Sequence, residues 1–482
     1  MAQRGGRRGR DGGAGRPRRP SGPGRPVRDE ARNAAYDVLR AVDERDAYAN
    51  LMMPRLLHDR GLAGRDAALA TELAYGTLRG LGAYDEIIAA CSDRPPEEID
   101  PPLLDAVRIG VHQLLRTRVP PHAAVGTTVD LVRLRVGAGP SRYANAVLRK
   151  VSTRTLPEWL EIVAPGRDDD PVGHLAVSHS HPRWIVSALR DALEAGEAAE
   201  KWDDAVWEET GALLRADNER PRVTLVARPG RATVEELADH GAEPAVYSPY
   251  GAYLPEGDPA SIPAVAEGRA AVQDEASQLV ALALTRVPVT GSDGRWLDMC
   301  AGPGGKAGLL DALAAGSGGR LVAADAQPHR ARLARQAVRE AGVIVADGTR
   351  PSWRPGAFDR VLLDAPCTGL GALRRRPEAR WRRAPESLPE LVDLQRELLA
   401  SALDSVRPGG VVAYVTCSPH LAETRDVVET VLAGRDDAEP LAAPSFLPEV
   451  TGLGDGPYAR FWPHRHGTDA MFLALLRRRD PG

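Results

Sequence analysis

Asp298-Met299-Cys300-Ala301-Gly302-Pro303-Gly304-Gly305-Lys306 is the stretch on which the reading of this chain turns. An apolar run ends at Cys300, a glycine-rich turn follows, and residues 306–315 suit a helix. A strand–turn–helix junction aims backbone N–H groups and the positive end of a helix at a nucleotide-like ligand. Glycine lets the backbone approach that ligand with no Cβ in the way. The spacing Gly302-x-Gly304-x-x-Ala307 also fits a dinucleotide fingerprint. A Walker phosphate loop is excluded, because Ala307 stands where Ser or Thr is needed and no glycine stands five residues before Gly305.

Outward from the turn, apolar runs at 296–300, 321–325, 343–347, 361–365, 411–416 and 471–476 alternate with helical stretches such as 330–341 and 388–406. This alternation predicts an α/β sheet, mainly parallel and wrapped on both faces. Asp325 ends the second run about 20 residues past the turn, where a carboxylate accepts the ribose hydroxyl protons. Asp347 ends the third and is placed to meet an adenine amine. Two aspartates in register behind one glycine turn indicate a nucleoside-containing cofactor, with NAD and S-adenosylmethionine both open at this point.

Upstream the pattern changes. Residues 28–154 read as an all-α domain of five to seven helices. Ala34, Val38, Leu39 and Val42 share one face, as do Leu69, Leu73, Leu78 and Leu81, and Val107, Val111, Leu114 and Leu115. Pro95-Pro96, Pro101-Pro102 and Pro120-Pro121 punctuate it, since such pairs do not sit inside helices. Residues 155–265 read as a small α+β connector, with a helix around Trp184, Ile185 and Leu189, a strand at 222–226 and a short helix at 234–237. Residues 266–482 form the α/β domain. Residues 1–27 hold eight Arg and one Asp, a charge of +7 that leaves −11 for the rest of a chain of net −4. Such an Arg/Gly/Pro-rich tail is expected to be disordered and either engages phosphates or is dispensable.

No apolar stretch approaches the roughly 18–20 residues that span a bilayer. Cys91, Cys300, Cys367 and Cys417 form neither a C-x-x-C motif nor a disulfide framework, so reduced thiols in a cytoplasmic protein are expected. Two of them close apolar runs in short loops, Asp364-Ala365-Pro366-Cys367 and Thr416-Cys417-Ser418. Strand C-termini in open α/β sheets are where ligands react. A thiolate there can add to carbon 6 of a cytosine and make carbon 5 nucleophilic toward a sulfonium methyl. Asp364 is suited to hold the ring N3 and the exocyclic amine. The bland alternative for each thiol is a small buried hydrophobe, and chemistry alone leaves open whether Cys417 or Cys367 attacks.

The chain resembles the Nol/Nop/Sun family of RNA cytosine-C5 methyltransferases. The likeness rests on Gln273-Asp274-Glu275-Ala276-Ser277-Gln278, the turn at 298–306, Asp364-Ala365-Pro366-Cys367-Thr368-Gly369, Thr416-Cys417-Ser418, and Arg460-Phe461-Trp462-Pro463-His464 with Gly467-Thr468-Asp469. These appear in the family's order over roughly residues 265–478. Residues 65–66, 75–79 and 120–125 resemble a NusB-type RNA-binding domain, and residues 180–184 match the family's connector. The resemblance implies a Rossmann-like methyltransferase sheet seven strands wide, S-adenosylmethionine as cofactor, and 16S rRNA or an assembling small ribosomal subunit as substrate. It implies Cys417 as nucleophile, Cys367 as the residue that assists release, and cofactor contacts from Cys300, Ala301, Gly302, Pro303, Gly304, Gly305, Lys306, Asp325, Asp347 and Asp364. Gly302 and Ala307 depart from the usual Ala and Thr of the turn, and Arg425 replaces a carboxylate in the segment after Cys417.

Arg374, Arg375, Arg376, Arg380, Arg382 and Arg383 surround Trp381 just after the Cys367 loop. Arginines beside an aromatic ring grip phosphates and stack unpaired bases, so Arg374, Arg375, Arg376, Arg380 and Trp381, with His464, are the candidate RNA contacts. A solvated basic loop is the plain alternative. No metal site is expected from His179-Ser180-His181 or His464-Arg465-His466, which lack partner ligands, and a monomer is expected. A tRNA cytosine-C5 methyltransferase, a catalytically inactive RNA-binding assembly factor and an NAD-dependent oxidoreductase are the alternatives to an rRNA enzyme.

Overall fold

The computed structural model of the chain describes residues 29–195 and 203–479; the expectation for residues 1–27 lies outside them. Between residues 29 and 154 six α-helices are found, Glu30–Arg45, Ala49–Asp59, Gly64–Cys91, Pro101–Arg116, Pro121–Arg135 and Ala138–Val151. Pro101-Pro102 and Pro121 open helices, where a missing N–H has no intrahelical bond to lose. The periodic faces meet in one core, with Leu39, Leu73, Ile87, Ile109 and Leu148 fully buried. Each such side chain contributes about 1.5–3 kcal/mol.

The connecting region is more helical than its sequence suggests. Leu156–Val163, Pro171–His179, Arg183–Glu194 and Asp203–Asn218 are helices. A small antiparallel sheet follows, made of β1 (Val223–Ala227), β2 (Glu243–Pro244), β3 (Gly251–Leu254) and β4 (Ala270–Val272), in the order β2-β3-β1-β4. Its last strand lies past residue 265, so this sheet runs on into the segment read as α/β.

The large sheet contains β5 (Arg295–Asp298), β6 (Arg320–Asp325), β7 (Gly342–Val345), β8 (Phe358–Asp364), β9 (Val406–Thr416), β10 (Ala438–Leu441), β11 (Ala459–Phe461) and β12 (Met471–Arg478). Seven of them run in the order β10-β12-β9-β8-β5-β6-β7, and β11 adds to β12. Strands β5 to β9 pair in parallel, while β12 is antiparallel to β9 and β10. The six apolar runs read from the sequence are all strands; β10 and β11, four and three residues long, are additional. Strands buried on both faces read as unbroken apolar runs. In β9, Val411, Ala413 and Val415 face one core layer with Leu279 and Leu309, while Val412 and Tyr414 face the other with Leu398 and Val427. The parallel register of β8 and β9 pairs Asp364 with Val415, which brings the Cys367 and Cys417 loops out at the same edge.

Candidate active site

The two cysteine loops meet. Cys367 Sγ lies 3.4 Å from Cys417 Sγ, at the ends of neighbouring parallel strands. Beyond Cys367 the chain folds back, and Gly371 N donates to Cys417 O at 2.8 Å while Ala470 N donates to Gly371 O at 2.9 Å. A Cβ on Gly371 would stand 1.9 Å from Ala470 O, so only glycine lets the loops close this tightly.

Charge divides the two thiols. Lys306 Nζ donates to Asp364 Oδ2 at 2.8 Å. A hydrogen bond from Cys367 holds Cys417 below the ordinary thiol range; Lys306 and Arg376 act in the same direction, against burial and Asp364. Cys367 is pushed well above that range, first by donating to Cys417, then by burial and the Glu423 and Asp364 carboxyls. Of the two sulfurs, Cys417 is therefore the one whose surroundings favour the thiolate and Cys367 the one whose surroundings favour the thiol.

The carboxyl that organises the loops is Glu423, which the sequence reading passed over. It is fully buried and accepts from Thr368 N at 2.7 Å, from Thr368 Oγ1, from Ser418 Oγ at 2.6 Å and from Gln395 Nε2 at 3.1 Å. The signal lay in the Glu423-Thr424-Arg425 stretch, where attention fell on the departure at Arg425. Arg425 is half-buried and pairs with Asp426 and Glu429, so its substitution touches neither thiol.

On the other side of Lys306 is the glycine turn. Asp325, at the end of β6, accepts from Gly302 N at 3.0 Å and Gln327 N at 2.9 Å. Gly304 has φ +113°, and a Cβ there would meet Ala337 Cβ at 2.6 Å. A Cβ on Gly302 would stand 2.5 Å from Arg330 Cβ, which accounts for glycine where the related turn has alanine. Ala307 is buried one turn into the helix Gly305–Gly316, whose N-cap is Gly304, so the missing hydroxyl is not a lost cap. Asp298 is fully buried, with the Cys300 amide nearby, yet neither oxygen completes a hydrogen bond. Burial, with the Asp364 carboxylate adding to it, pushes its pKa up to about 8. An unpartnered carboxyl among Asp325 and Asp364 fits a ligand that brings positive charge, as the sulfonium and ammonium of S-adenosylmethionine do. Asp347 stands beyond β7, exposed, and its carboxylate's hydrogen bonds among the described residues run to Thr349.

The arginine cluster is corrected. Arg380 is fully buried and donates to Arg79 O, Ser180 O, Asp217 O and Asn218 Oδ1. Arg374 and Arg375 both bind Asp274 and Asp469. These three guanidiniums are spent on protein acceptors and present no phosphate grip. Trp381 covers Gly82 and lines an acidic groove with Asp43, Asp46 and Glu378, the wrong sign for RNA. His464 Nε2 is held 2.9 Å from Glu209 Oε1. Arg376 is different: it is exposed, and its guanidinium meets no hydrogen-bond acceptor among the described residues, acts on Cys417, and lies over the exposed Tyr48 ring at 5.4 Å.

The glycine turn and the paired cysteines meet at Lys306, which bonds Asp364 and acts on Cys417. The architecture is that of a Rossmann-like, S-adenosylmethionine-dependent methyltransferase. The family profile of the 16S rRNA methyltransferase RsmB/F matches residues 288–477, and that of the NusB family matches residues 29–153. The chain is 52% identical over 454 residues to a putative methyltransferase of Mycobacterium tuberculosis, covering 93% of this chain and 97% of the relative. It is 31% identical to a probable ribosomal RNA small subunit methyltransferase B of Synechocystis, covering 93% and 99%, and 32% identical to the ribosomal RNA small subunit methyltransferase B of Pseudomonas putida, covering 92% and 98%. The crystal structure of PH0851 shares the fold, with a TM-score of 0.74 at 23% identity over 94% of this chain and 99% of that one. The chain belongs to the RsmB/F family of methyltransferases.

Proposed function

We propose that this protein methylates carbon 5 of a cytosine in 16S rRNA, through a covalent bond from Cys417 to carbon 6 that Cys367 helps to break. The observation that carries this reading is the 3.4 Å contact between the two cysteine sulfurs at the ends of two adjacent parallel strands. Lys306 occupies Asp364 Oδ2, leaving Oδ1 to orient the ring N3 or the exocyclic amine of the base. Cys417 adds to carbon 6, and the pair of the C5–C6 double bond moves to carbon 5. S-adenosylmethionine, when bound over residues 300–306 with Asp325 and Asp298, supplies the methyl group as an electrophile. The carbon 5 proton then passes to water, the double bond re-forms, and the C6–S pair returns to Cys417. Cys367, still carrying its proton, donates to that sulfur as it leaves, which is how it assists release.

The NusB-type helices at residues 29–153 support an RNA partner, and Tyr48 of that region lies under Arg376, the arginine that acts on Cys417. A target inside a duplex must be extruded, at a few kcal/mol, which favours an unpaired segment of rRNA or an assembling subunit. All proposed groups come from one chain, in keeping with a monomer, and both thiols must stay reduced, in keeping with the cytoplasm. No helix among the described residues is long and apolar enough to cross a membrane.

The test is transfer of labelled methyl groups to unmodified 16S rRNA by wild type, Cys417→Ala and Cys367→Ala, resolved on denaturing gels. Cys417→Ala is silent, and Cys367→Ala leaves RNA attached to protein. Transfer to tRNA but not rRNA overturns the substrate; rRNA binding without any transfer overturns the reaction.

A further inference from the structure

Glu423 closes the short turn Leu421–Glu423, and its side chain is sealed from solvent. Removing a carboxyl from water is costly unless its oxygens are fully engaged. Here no lysine or arginine among the described residues contacts it, and the four donors come from three places in the chain. Thr368 supplies its backbone N–H and its hydroxyl, Ser418 its hydroxyl, and Gln395 its amide. Gln395 Nε2 also donates to Pro366 O at 2.8 Å, so it too holds the Cys367 loop. Thr368 follows Cys367 directly, Ser418 follows Cys417 directly, and their hydroxyls lie 3.0 Å apart. Tyr414 on β9 donates to Glu423 O at 2.7 Å and fixes the turn to the sheet from below.

An apolar side chain would fill this space without the desolvation cost. A group that only accepts, through two oxygens, is needed where three donors from the two cysteine loops and one from Gln395 converge. We propose that Glu423 is a positioning residue for methyl transfer: by tying the residue after each cysteine to one carboxyl, it holds Cys367 against Cys417 so that the C6–S bond is broken once carbon 5 is methylated. The inference rests on the two-cysteine reading above. It assigns Glu423 no contact with RNA or cofactor. It acts through the separation of the two sulfurs, which a displacement of about 1 Å would make ineffective, at a cost of up to about a hundredfold in rate.

Glu423→Gln is nearly isosteric but turns an amide N–H toward the hydroxyl donors. Two measurements are made on the folded full-length variant. The first is denaturing-gel detection of RNA bound to protein during methyl transfer. Glu423→Gln accumulates the covalent adduct as Cys367→Ala does, and multiple-turnover methylation falls about tenfold or more. The second needs no RNA: the pH dependence of alkylation of each thiol by iodoacetamide, read by mass spectrometry. In wild type the Cys417 and Cys367 curves lie far apart; in Glu423→Gln they converge, because Cys367 no longer donates to Cys417. Where Glu423→Gln does not fold, Thr368→Val removes one of the four bonds and carries both measurements. Unchanged alkylation curves with loss of adduct and turnover together overturn the proposal and leave Glu423 a structural residue. Converging curves, with no adduct even in Cys367→Ala, leave the positioning role standing and overturn the two-cysteine reading instead.

Discussion

Arg380 donates to Asn218 Oδ1 at 2.7 Å, which joins the segment behind Cys367 to the helix Asp203–Asn218 of the connecting region. The same guanidinium reaches Arg79 O in the N-terminal helices and Ser180 O and Asp217 O in the connector. One side chain therefore ties the reactive loop to two other parts of the molecule. Its burial lowers its own pKa to about 10, which leaves it charged at neutral pH. Arg380→Met keeps most of the volume but strands several carbonyls without a donor. Loss of such a buried charged hub costs about 3–5 kcal/mol. The expected outcome is a fall in Tm of several degrees with methyltransferase activity surviving at low temperature. A melting curve equal to wild type would show that these carbonyls find water instead.

Asp298 gives a pH prediction with a definite sign. In the unfolded chain its carboxyl ionises near 3.9, whereas in the folded protein burial and Asp364 hold the proton until about pH 8. Between those values the unfolded state releases a proton that the folded state retains, so this residue lowers stability as pH rises, and the loss is complete above the folded pKa. Asp298→Asn is neutral throughout. In the absence of cofactor, the variant should match wild type near pH 4 and exceed it in Tm by pH 8. Cofactor binding should weaken in the same variant, because the charge that a cationic ligand would recruit is gone. Thermal melts across pH, with and without S-adenosylmethionine, check both statements.

The parts of this site legible in the sequence are those where chemistry demands a residue type at a fixed spacing. Gly304 must adopt φ +113° against Ala337, and a thiol must follow the end of a buried strand; both leave a mark that can be read locally. What was misread depends on partners far away. Arg380 looks like a phosphate ligand beside Trp381 until its acceptors, 162 to 301 residues distant, are known. Glu423 reads as one more acidic loop residue because its donors lie 5, 28 and 55 positions off. Asp347 is read from its place near a strand end; β7 stops at Val345, and the exposed carboxylate accepts from Thr349 in a local turn, so its contact with adenine stays an expectation. Strands β10 and β11 were invisible for a different reason: four and three residues give no periodicity to detect.

Arg376 is the arginine among the candidate RNA contacts whose guanidinium has no protein acceptor among the described residues, and its neighbourhood separates two kinds of contribution. Its guanidinium is exposed, lies over Tyr48, and helps to hold Cys417 below the ordinary thiol range. A phosphate contact is read through salt: each one removed lowers the slope of log K against log salt by about one. A stacked aromatic platform contributes about 1–3 kcal/mol and leaves that slope alone. Arg376→Gln is therefore expected to weaken rRNA binding, reduce the salt slope by about one, and move Cys417 alkylation to higher pH. Tyr48→Ala should weaken binding with the slope and the alkylation curve unchanged. Titrations at several salt concentrations, paired with alkylation rates, distinguish the two. If Arg376→Gln shifts alkylation but neither affinity nor slope, the guanidinium serves the thiolate alone and the RNA backbone enters by another face.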